Sequence, residues 1–212
     1  MPKVECFEKH RDQYEDWFER HQFAYQSELQ AVKQLLPKTG DGLEVGVGTG
    51  RFAAPLGIRI GVEPSRAMGD LAMYRGIDVY QSYGEHLPFY DQSFSHVLLV
   101  TTICFLKDLK ATLSEVHRVL QPSGHIIIGF VNRESRVGKK YLEMKDSNVF
   151  YRQARFFSID EIKEQLELSG FREFIYSQTI FQDPEKMNKP DPVRSGYDQG
   201  SFVVIRGQKL TL

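Results

Sequence analysis

The sequence predicts an α/β fold built on a mostly parallel sheet, and three patterns among its 212 residues predict it. Short apolar runs alternate with stretches whose apolar residues recur every three or four positions, as strands and amphipathic helices require. Such alternation implies parallel strands joined by helical crossovers, with helices on both faces of the sheet. The last two apolar runs have no helical stretch between them, which predicts an antiparallel hairpin at one sheet edge.

A helical segment opens the chain, and strands and helices then alternate. Residues 7–36 carry the helical spacing, which predicts a helical cap over 1–38 in two pieces. Strands are expected over 43–47, 58–62, 78–80, 96–100 and 125–131. Helices are expected over 65–75, 107–120 and 158–168, with one or two turns within the short crossover 51–57. The hairpin strands are 171–180 and 201–206.

Composition and charge predict a single domain over residues 1–212 and exclude several classes of protein. With 27 Lys and Arg against 28 Asp and Glu, the formal net charge of -1 offers no basic surface for duplex nucleic acid. The strongest apolar run, 97–100, is far shorter than the roughly 18–20 residues of a membrane span. The acidic N-terminus does not resemble a signal peptide, and the cysteines and histidines form no metal-ligand motif. We therefore expect a cytoplasmic protein with no nucleic-acid partner, membrane span or metal.

Residues 132–157 form an insertion between the fifth strand and the last helix, which begins the C-terminal part, 158–212. The insertion holds seven basic and three acidic side chains, a local charge of +4, so the rest of the chain carries -5. Because the segment leaves the carboxyl end of a central strand, it is placed to cover a site there, as long loops often do. A lid and a solvated excursion without a ligand both fit this pattern.

The sharpest local signal is a glycine loop within the expected core, residues 40–131. An apolar strand runs into glycines at 46, 48 and 50; glycine permits positive φ and lets backbone N–H groups approach a ligand. The dinucleotide fingerprint G-x-G-x-x-G is not met, because Arg51 or Ala53 stands where its third glycine is required. Pyrophosphate ligands are therefore disfavoured.

Glu63 ends the second strand, thirteen residues after the last glycine of the loop. A carboxylate at this place can accept hydrogen bonds from both hydroxyls of a ribose. An ordinary surface carboxylate is the alternative, and the nearby glycine loop favours the ribose. Ser65 is predicted to cap the following helix.

Four segments carry a family resemblance. They are E-V-G-V-G-T-G at 44–50, G-V-E-P-S at 61–65, G-E-H-L-P-F-Y-D-Q-S-F-S at 84–95, and E-V-H-R-V-L-Q-P-S-G-H-I-I-I at 115–128. Together they resemble the class I S-adenosylmethionine-dependent methyltransferases, in particular the small-molecule branch that includes ubiquinone and menaquinone biosynthesis enzymes. The resemblance implies a Rossmann-like, seven-stranded, mostly parallel sheet with an antiparallel last strand, helices on both faces and an N-terminal helical cap. It also implies S-adenosyl-L-methionine as the cofactor.

The resemblance further implies a set of cofactor-binding positions. They are Glu44, Gly46, Gly48, Gly50, Glu63, Pro64, Gly84, Glu85, His86, Thr101 and Tyr14. The glycine loop would surround the methionine part, Glu63 would hold the ribose hydroxyls, and residues 84–86 would pass the adenine. Thr101 and Tyr14 would lie beside the amino-acid part, with core packing as the alternative for Tyr14.

Four positions depart from the family pattern. Tyr83 stands where relatives often have an aspartate that meets the adenine amine, so we expect backbone groups to recognise the base. Ser95 follows Phe94 where the fourth strand usually begins F-D. Cys104 and Phe105 replace a His-His pair, so the catalytic role associated with that pair is not carried over.

The acceptor pocket is expected between the N-terminal helices, the segment after the fourth strand and the insertion. Candidate pocket residues are Trp17, Cys104, Phe105, Arg133, Tyr151 and Arg155. Aromatic surface and positive charge suit a planar or anionic small molecule, and hydrophobic packing is the alternative.

The sequence identifies no catalytic residue, because methyl transfer is an in-line displacement for which the protein mainly aligns the reactants. His10, His21 and His86 are candidate bases, with surface or packing roles as the alternative. The predicted function is methyl transfer from S-adenosylmethionine to a small molecule; the oligomeric state is not predicted. The alternatives are a cofactor-binding protein without transferase activity and a methyltransferase acting on a macromolecule. T-T-I-C at 101–104, where amino-directed DNA methylases carry [DN]-P-P-[YF], argues against DNA.

Overall fold

A central sheet of eight strands organises the chain in the computed structural model, which describes residues 2–210. The strands are β1 Gly42–Val45, β2 Ile60–Val62, β3 Asp78–Tyr80, β4 Phe94–Val100, β5 Leu120–Val131, β6 Phe171–Thr179, β7 Arg194–Ser195 and β8 Phe202–Lys209. Their order across the sheet is β3-β2-β1-β4-β5-β8-β6-β7. The first five strands pair in parallel, whereas β8 runs antiparallel to β5 and β6. The predicted mostly parallel sheet with an antiparallel last strand is therefore confirmed.

The sheet has one strand more than the seven predicted. The extra strand, β7, pairs with Ser177 and Gln178 on the outer side of β6, and the Gln178 side-chain amide donates to the Ser195 carbonyl at 3.1 Å. The predicted hairpin of β6 and β8 forms, but β8 lies inside the sheet and β7 takes the edge. A strand of two residues is too short to show a period of two, so its sequence could not predict it.

Eight α-helices surround the sheet within residues 2–210. They are α1 Pro2–Lys9, α2 Arg11–Arg20, α3 Gln22–Leu35, α4 Ala53–Leu56, α5 Arg66–Tyr74, α6 Leu109–Val119, α7 Arg136–Glu143 and α8 Ile159–Leu168. In this described part of the chain, none is long and apolar enough to span a bilayer.

The N-terminal cap consists of three helices, not the two predicted. The backbone leaves the helical conformation at His10 and again at His21, with φ of -120° and -116°. At the second break, the ring Nδ1 and the backbone N–H of His21 both donate to the Trp17 carbonyl, each at 2.9 Å, and this closes α2. Neither break contains a glycine or proline, so no helix-breaking residue in the sequence indicates where the helix divides.

Two local predictions near the glycine loop are confirmed. The short first crossover is a single turn, α4, which ends at Gly57 with φ +76°. Ser65 caps α5, because its Oγ accepts a hydrogen bond from the Met68 backbone N–H at 3.3 Å. This hydrogen bond fixes the start of α5 directly after the end of β2, beside the glycine loop.

The sheet separates two hydrophobic cores. Successive residues of β4 alternate between them: Val97 and Leu99 pack toward α6 and α8, whereas Leu98 and Val100 pack toward α3 and the glycine loop. All four side chains are at most 4 % exposed. Helices thus cover both faces, and the carboxyl ends of the parallel strands remain as the edge where a ligand can bind.

Candidate active site

The glycine loop leaves the carboxyl end of β1. Gly46, Gly48 and Gly50 adopt φ of +70°, +55° and +81°. These are the positive φ values that glycine permits and that the sequence pattern predicted. A Cβ on Gly46 would collide with the Thr102 side chain, whereas a Cβ on Gly48 would lie 3.5 Å from Tyr14 Oη. Gly46 is therefore required by packing. Gly48 keeps open a cradle in which a ligand can touch the backbone.

Glu63 reaches this loop from the end of β2, as predicted. Its two carboxylate oxygens accept hydrogen bonds from the backbone N–H groups of Gly48 and Ser65, each at 2.9 Å. Burial raises the pKa of Glu63 to about 7, although these two hydrogen bonds act in the opposite direction. Each oxygen has a second lone pair, so the carboxylate has spare capacity for two further donors.

Glu44 lies beneath the loop on β1 and is 1 % exposed. Burial raises its pKa well above the usual range, opposed by a hydrogen bond from the Ala53 backbone and increased by the charge of Glu63. Among residues 2–210, its Oε2 is a buried side-chain oxygen with no hydrogen-bond partner. An unsatisfied buried acceptor costs about 1–3 kcal/mol, and the amino group of S-adenosyl-L-methionine is a donor that fits it.

Glu15 fastens α2 to the glycine loop. Its carboxylate accepts hydrogen bonds from Arg51 at 2.7 Å, from Arg75 at 2.6 Å and from the Thr49 hydroxyl. Burial opposes ionisation, but these hydrogen bonds outweigh it and lower the pKa of Glu15 to about 2. The network holds the neighbouring Tyr14 over Gly48. It was not predicted, because only the folded chain brings these four residues together.

The remaining predicted cofactor residues differ in packing, hydrogen bonding and exposure. Gly84 packs closely, since a Cβ there would lie 3.0 Å from both Thr112 Cγ2 and Val45 Cγ1. Glu85 accepts hydrogen bonds from the backbone N–H groups that begin the next crossover, at residues 107 and 108, each at 3.0 Å. His86 is exposed, and the Pro64 carbonyl accepts from Gln81 at 3.3 Å.

A cavity of about 170 Å³ lies next to the glycine loop, between the cap, the end of β4 and the 132–157 insertion. Its walls are mostly aromatic: Phe7, Tyr14, Trp17, Phe18, Phe52, Phe105, Phe130, Tyr141, Phe150, Tyr151, Phe156 and Phe157. Polar side chains of Gln13, Arg20, Glu28, Thr101, Cys104 and Asn148 interrupt them. Tyr14 belongs both to this lining and to the surroundings of Gly48, so the cavity and the loop are adjacent.

The predicted pocket residues divide into two groups. Trp17, Cys104, Phe105 and Tyr151 line the cavity, as do Tyr14 and Thr101 from the cofactor set. The two arginines are engaged elsewhere.

Both arginines lie outside the lining residues and have partners of their own. Arg133 forms an ion pair with Glu161 at 2.9 Å, and the Arg155 guanidinium lies 4.7 Å from the centre of the Phe157 ring. The candidate bases His10, His21 and His86 are also absent from the lining.

Glu28 lines the cavity and was not predicted. It lies on the buried face of α3, four residues from both Ala24 and Val32, and is 6 % exposed. Burial raises its pKa to about 8. The signal that could have found it is a glutamate on the apolar face of a predicted helix, where an acid is rarely buried without a role.

Comparison with known proteins identifies the family. A methyltransferase domain matches residues 43–128. The crystal structure of a SAM-dependent methyltransferase from Thermotoga maritima, described as a possible histamine N-methyltransferase, superposes with a TM-score of 0.95. It is 50 % identical in sequence and covers 97 % of this chain and 99 % of its own. The chain belongs to the class I S-adenosylmethionine-dependent methyltransferases.

Two relatives extend the comparison. An uncharacterized protein of Methanocaldococcus jannaschii is 43 % identical over 207 residues, which are 98 % of this chain and 100 % of the relative. The demethylmenaquinone methyltransferase of Lactobacillus johnsonii is 27 % identical over 180 residues, with 69 % of this chain and 74 % of the relative covered. The protein described here, as a member of this family, uses S-adenosyl-L-methionine, as the sequence resemblance implied. Its buried acceptor at Glu44 fits that cofactor.

Proposed function

We propose that this methyltransferase transfers the methyl group of S-adenosyl-L-methionine to a small molecule held in the aromatic cavity. The observation that carries the proposal is the junction at Tyr14, which borders Gly48 of the loop and also lines the cavity. The cavity volume of about 170 Å³ is below the roughly 300–1,000 Å³ of pockets for drug-sized ligands. Its size therefore suits a small acceptor.

The loop side of this junction would hold the cofactor. Glu44 Oε2 would accept a hydrogen bond from the cofactor's amino group, and the backbone of Gly48 would contact the methionine part. Glu63 would accept from the ribose hydroxyls with its two free lone pairs. When bound, S-adenosyl-L-methionine supplies a methyl group on a positively charged sulfur, which is already activated for transfer.

The cavity side would align the acceptor and exclude water. Thr101 lies at the end of β4 with φ +52°, and its backbone N–H donates to the Gly129 carbonyl at 2.8 Å. Left-handed backbone at a threonine is costly, and such positions occur at functional sites where the surroundings hold them. The insertion supplies Tyr141, Phe150 and Tyr151 to the walls, which favours a role as a lid.

Two of the compared proteins support a small acceptor by their names. The Thermotoga maritima protein is described as a possible histamine N-methyltransferase, and the Lactobacillus johnsonii relative as a demethylmenaquinone methyltransferase. Both names denote low-molecular-weight acceptors, although the acceptors themselves differ.

The test is to incubate the enzyme with methyl-labelled S-adenosyl-L-methionine and a panel of metabolites, and separately with total protein and RNA. Label is expected in a low-molecular-weight product. A cavity-filling Ala154→Phe variant should lose transfer but keep its affinity for S-adenosylhomocysteine, because Ala154 lines only the cavity. Label in macromolecules alone, or undiminished transfer by the folded variant, would contradict the proposal.

A further inference from the structure

The cavity contains one carboxylate whose burial the fold does not compensate. Glu28 is 6 % exposed and lines the cavity. Within the described residues 2–210, burial alone shifts the pKa of its carboxyl, and no hydrogen bond or ion pair lowers it. Burying a carboxylate is costly unless it is paired or becomes protonated. A ligand cation in the cavity would supply the missing partner.

The groups around Glu28 leave it without a compensating charge. Its negative charge contributes to raising the pKa of Tyr14 from α2, Tyr141 from α7 and Tyr151 from the insertion, after the larger effect of burial. None of these three side chains carries a positive charge.

Two cations on the surrounding helices have other contacts. Arg20 lines the cavity, but it is exposed and its Nε donates to the Asp16 carbonyl at 3.3 Å. Lys140 of α7 forms ion pairs with Asp183 and Glu185, at 3.1 and 3.4 Å. Glu28 therefore shares the cavity lining with aromatic rings and tyrosines rather than with an unengaged cation.

Aromatic walls add a second preference for a cation. Phe7, Phe105 and Phe150 lie against one another, with ring centroids 4.9 and 5.4 Å from Phe7. Tyr141 and Tyr151 stack with centroids 4.4 Å apart. The faces of such rings attract an ammonium group, and a carboxylate among them adds a charged hydrogen-bond acceptor.

Tyr14 connects this carboxylate with the cofactor site. The charges of Glu44, Glu63 and Glu28 all contribute to raising the pKa of the Tyr14 hydroxyl, after burial. That hydroxyl is therefore within electrostatic range of both ends of the site. A small molecule bound to Glu28 would lie close to a methyl donor bound at the glycine loop.

We propose that the methyl acceptor is a small primary or secondary amine, and that Glu28 binds its ammonium group and accepts its proton. The proposal rests on the proposed function, because it assigns the acceptor of that same site.

The reaction balances with the groups present. The ammonium transfers one proton to the Glu28 carboxylate, which leaves a neutral amine with a free lone pair. The nitrogen forms a bond to the methyl carbon while the bond from that carbon to sulfur breaks, and the electron pair of the broken bond stays on sulfur. The products are S-adenosylhomocysteine, the methylated ammonium and protonated Glu28, which returns its proton to solvent.

Binding should depend on pH in a way that identifies Glu28. Its pKa near 8 in the free protein means that the carboxyl is mostly protonated at pH 6.5, so an ammonium must displace that proton in order to pair. Amine affinity should rise by roughly tenfold or more between pH 6.5 and 8.5, and at pH 7 up to about one proton should be released per amine bound. A neutral ligand should show neither effect.

The experiment measures binding by calorimetry in the presence of S-adenosylhomocysteine. The probes are tyramine, 2-phenylethylamine and histamine, and the neutral counterparts of the first two are 4-hydroxyphenylethanol and 2-phenylethanol. At pH 8, wild-type protein should bind at least one amine, and tyramine or 2-phenylethylamine about tenfold or more tightly than its alcohol. Fluorescence of Trp17, which is the single tryptophan and lines the cavity, should change on binding.

Glu28→Gln keeps the size of the side chain but removes its charge. It should abolish the preference for amine over alcohol and the pH dependence, while its affinity for S-adenosylhomocysteine stays within twofold of wild type. The matched control is Asp16→Asn, which removes an exposed charge on α2 and should retain both. The pH profile and proton release of the wild type test the same point if the variant does not fold.

The outcomes separate this proposal from the proposed function. Protein that binds S-adenosylhomocysteine but binds none of the amines, or binds the alcohols equally well, overturns the amine assignment alone. An unchanged amine preference in folded Glu28→Gln overturns the role of Glu28. Failure to bind S-adenosylhomocysteine would contradict the proposed cofactor site instead.

Discussion

At the scale of single residues, Glu28 should make the protein less stable at high pH. Its pKa is raised from 4.5 to about 8 by folding, so the stability linked to its proton is full below pH 4.5 and is lost as pH rises through 8. Glu28→Gln should therefore match wild type near pH 4.5 and exceed it by a few kcal/mol at pH 9. Urea unfolding at the two pH values measures this difference.

The comparison with wild type isolates Glu28 from other buried acids, because Glu44 and Glu63 also have raised pKa values and remain in both proteins. Asp16→Asn is the control and should show a constant difference from wild type across the range. A Glu28→Gln variant less stable than wild type at pH 9 would show that the carboxylate has a stabilising partner.

Glu63 should be required for cofactor affinity. Glu63→Gln replaces one acceptor oxygen by an NH2 group, which donates but cannot accept, so affinity for S-adenosylhomocysteine should fall roughly 10- to 100-fold. Calorimetry measures the affinity, and Glu164→Gln, at an exposed position of α8, is the control. Equal affinity in the two variants would remove Glu63 from the cofactor site.

The sequence predicts a cofactor role for Glu63 but no role for Glu28, and the reason lies in the kind of pattern each belongs to. Glu63 follows a strand and a glycine loop at a spacing that is itself the signal. Glu28 is visible only as an exception within the helical period of α3. Its proposed role depends on a cavity that Tyr141 and Tyr151 also line, and these residues are far away in the sequence.

At the scale of elements, two glycine substitutions should distinguish a loss of stability from a loss of cofactor affinity. Gly48 and Gly57 both have positive φ, +55° and +76°, and a Cβ meets no atom within 3.4 Å at Gly48 and none within 4 Å at Gly57. Each change to alanine should cost about 1 kcal/mol of stability. Only Gly48→Ala should weaken S-adenosylhomocysteine binding, because only its Cβ fills the cradle.

Thermal unfolding and calorimetry on the two alanine variants check this prediction. Similar stabilities with a selective loss of affinity at Gly48 would agree with it. Loss of affinity in both variants, or in neither, would contradict the specific role of Gly48 in contacting the cofactor.

The cap should loosen when its ionic network is broken. Glu15 joins α2 to Arg51 and Arg75, and its pKa of about 2 shows how strongly these partners favour its charge. Glu15→Gln should cost about 1–3 kcal/mol and expose Trp17 to acrylamide quenching. Glu19→Gln is the matched control, since Glu19 binds Arg51 from an exposed position. Equal quenching in the two variants would contradict the role of Glu15.

Elements set by local sequence patterns were predictable, whereas those set by long-range contacts were not. The strands β1 to β5 and the cap at Ser65 were predictable, because periodicity and capping are local. The division of the N-terminal helix at His10 and His21 has no glycine or proline to mark it. The network around Glu15 joins residues up to 60 positions apart, so it exists only in the folded chain.

At the scale of the whole molecule, the cap and the insertion close one cavity over the carboxyl edge of the sheet. The basic charge of the insertion suggested an anionic acceptor. In the structure Arg133 and Lys140 form ion pairs with Glu161 and Asp183, and the cavity lining includes a buried glutamate. The sequence predicted which segments form the pocket, but the sign of its buried charge depends on how distant side chains pair.

The cofactor loop and the aromatic cavity are expected to be two halves of one active site. A crystal structure of the enzyme with S-adenosylhomocysteine tests it most directly. The amino group is expected at Glu44, the ribose at Glu63 and the sulfur facing the cavity beside Tyr14. A ligand whose sulfur faces away from the cavity, or whose ribose does not contact Glu63, would contradict it.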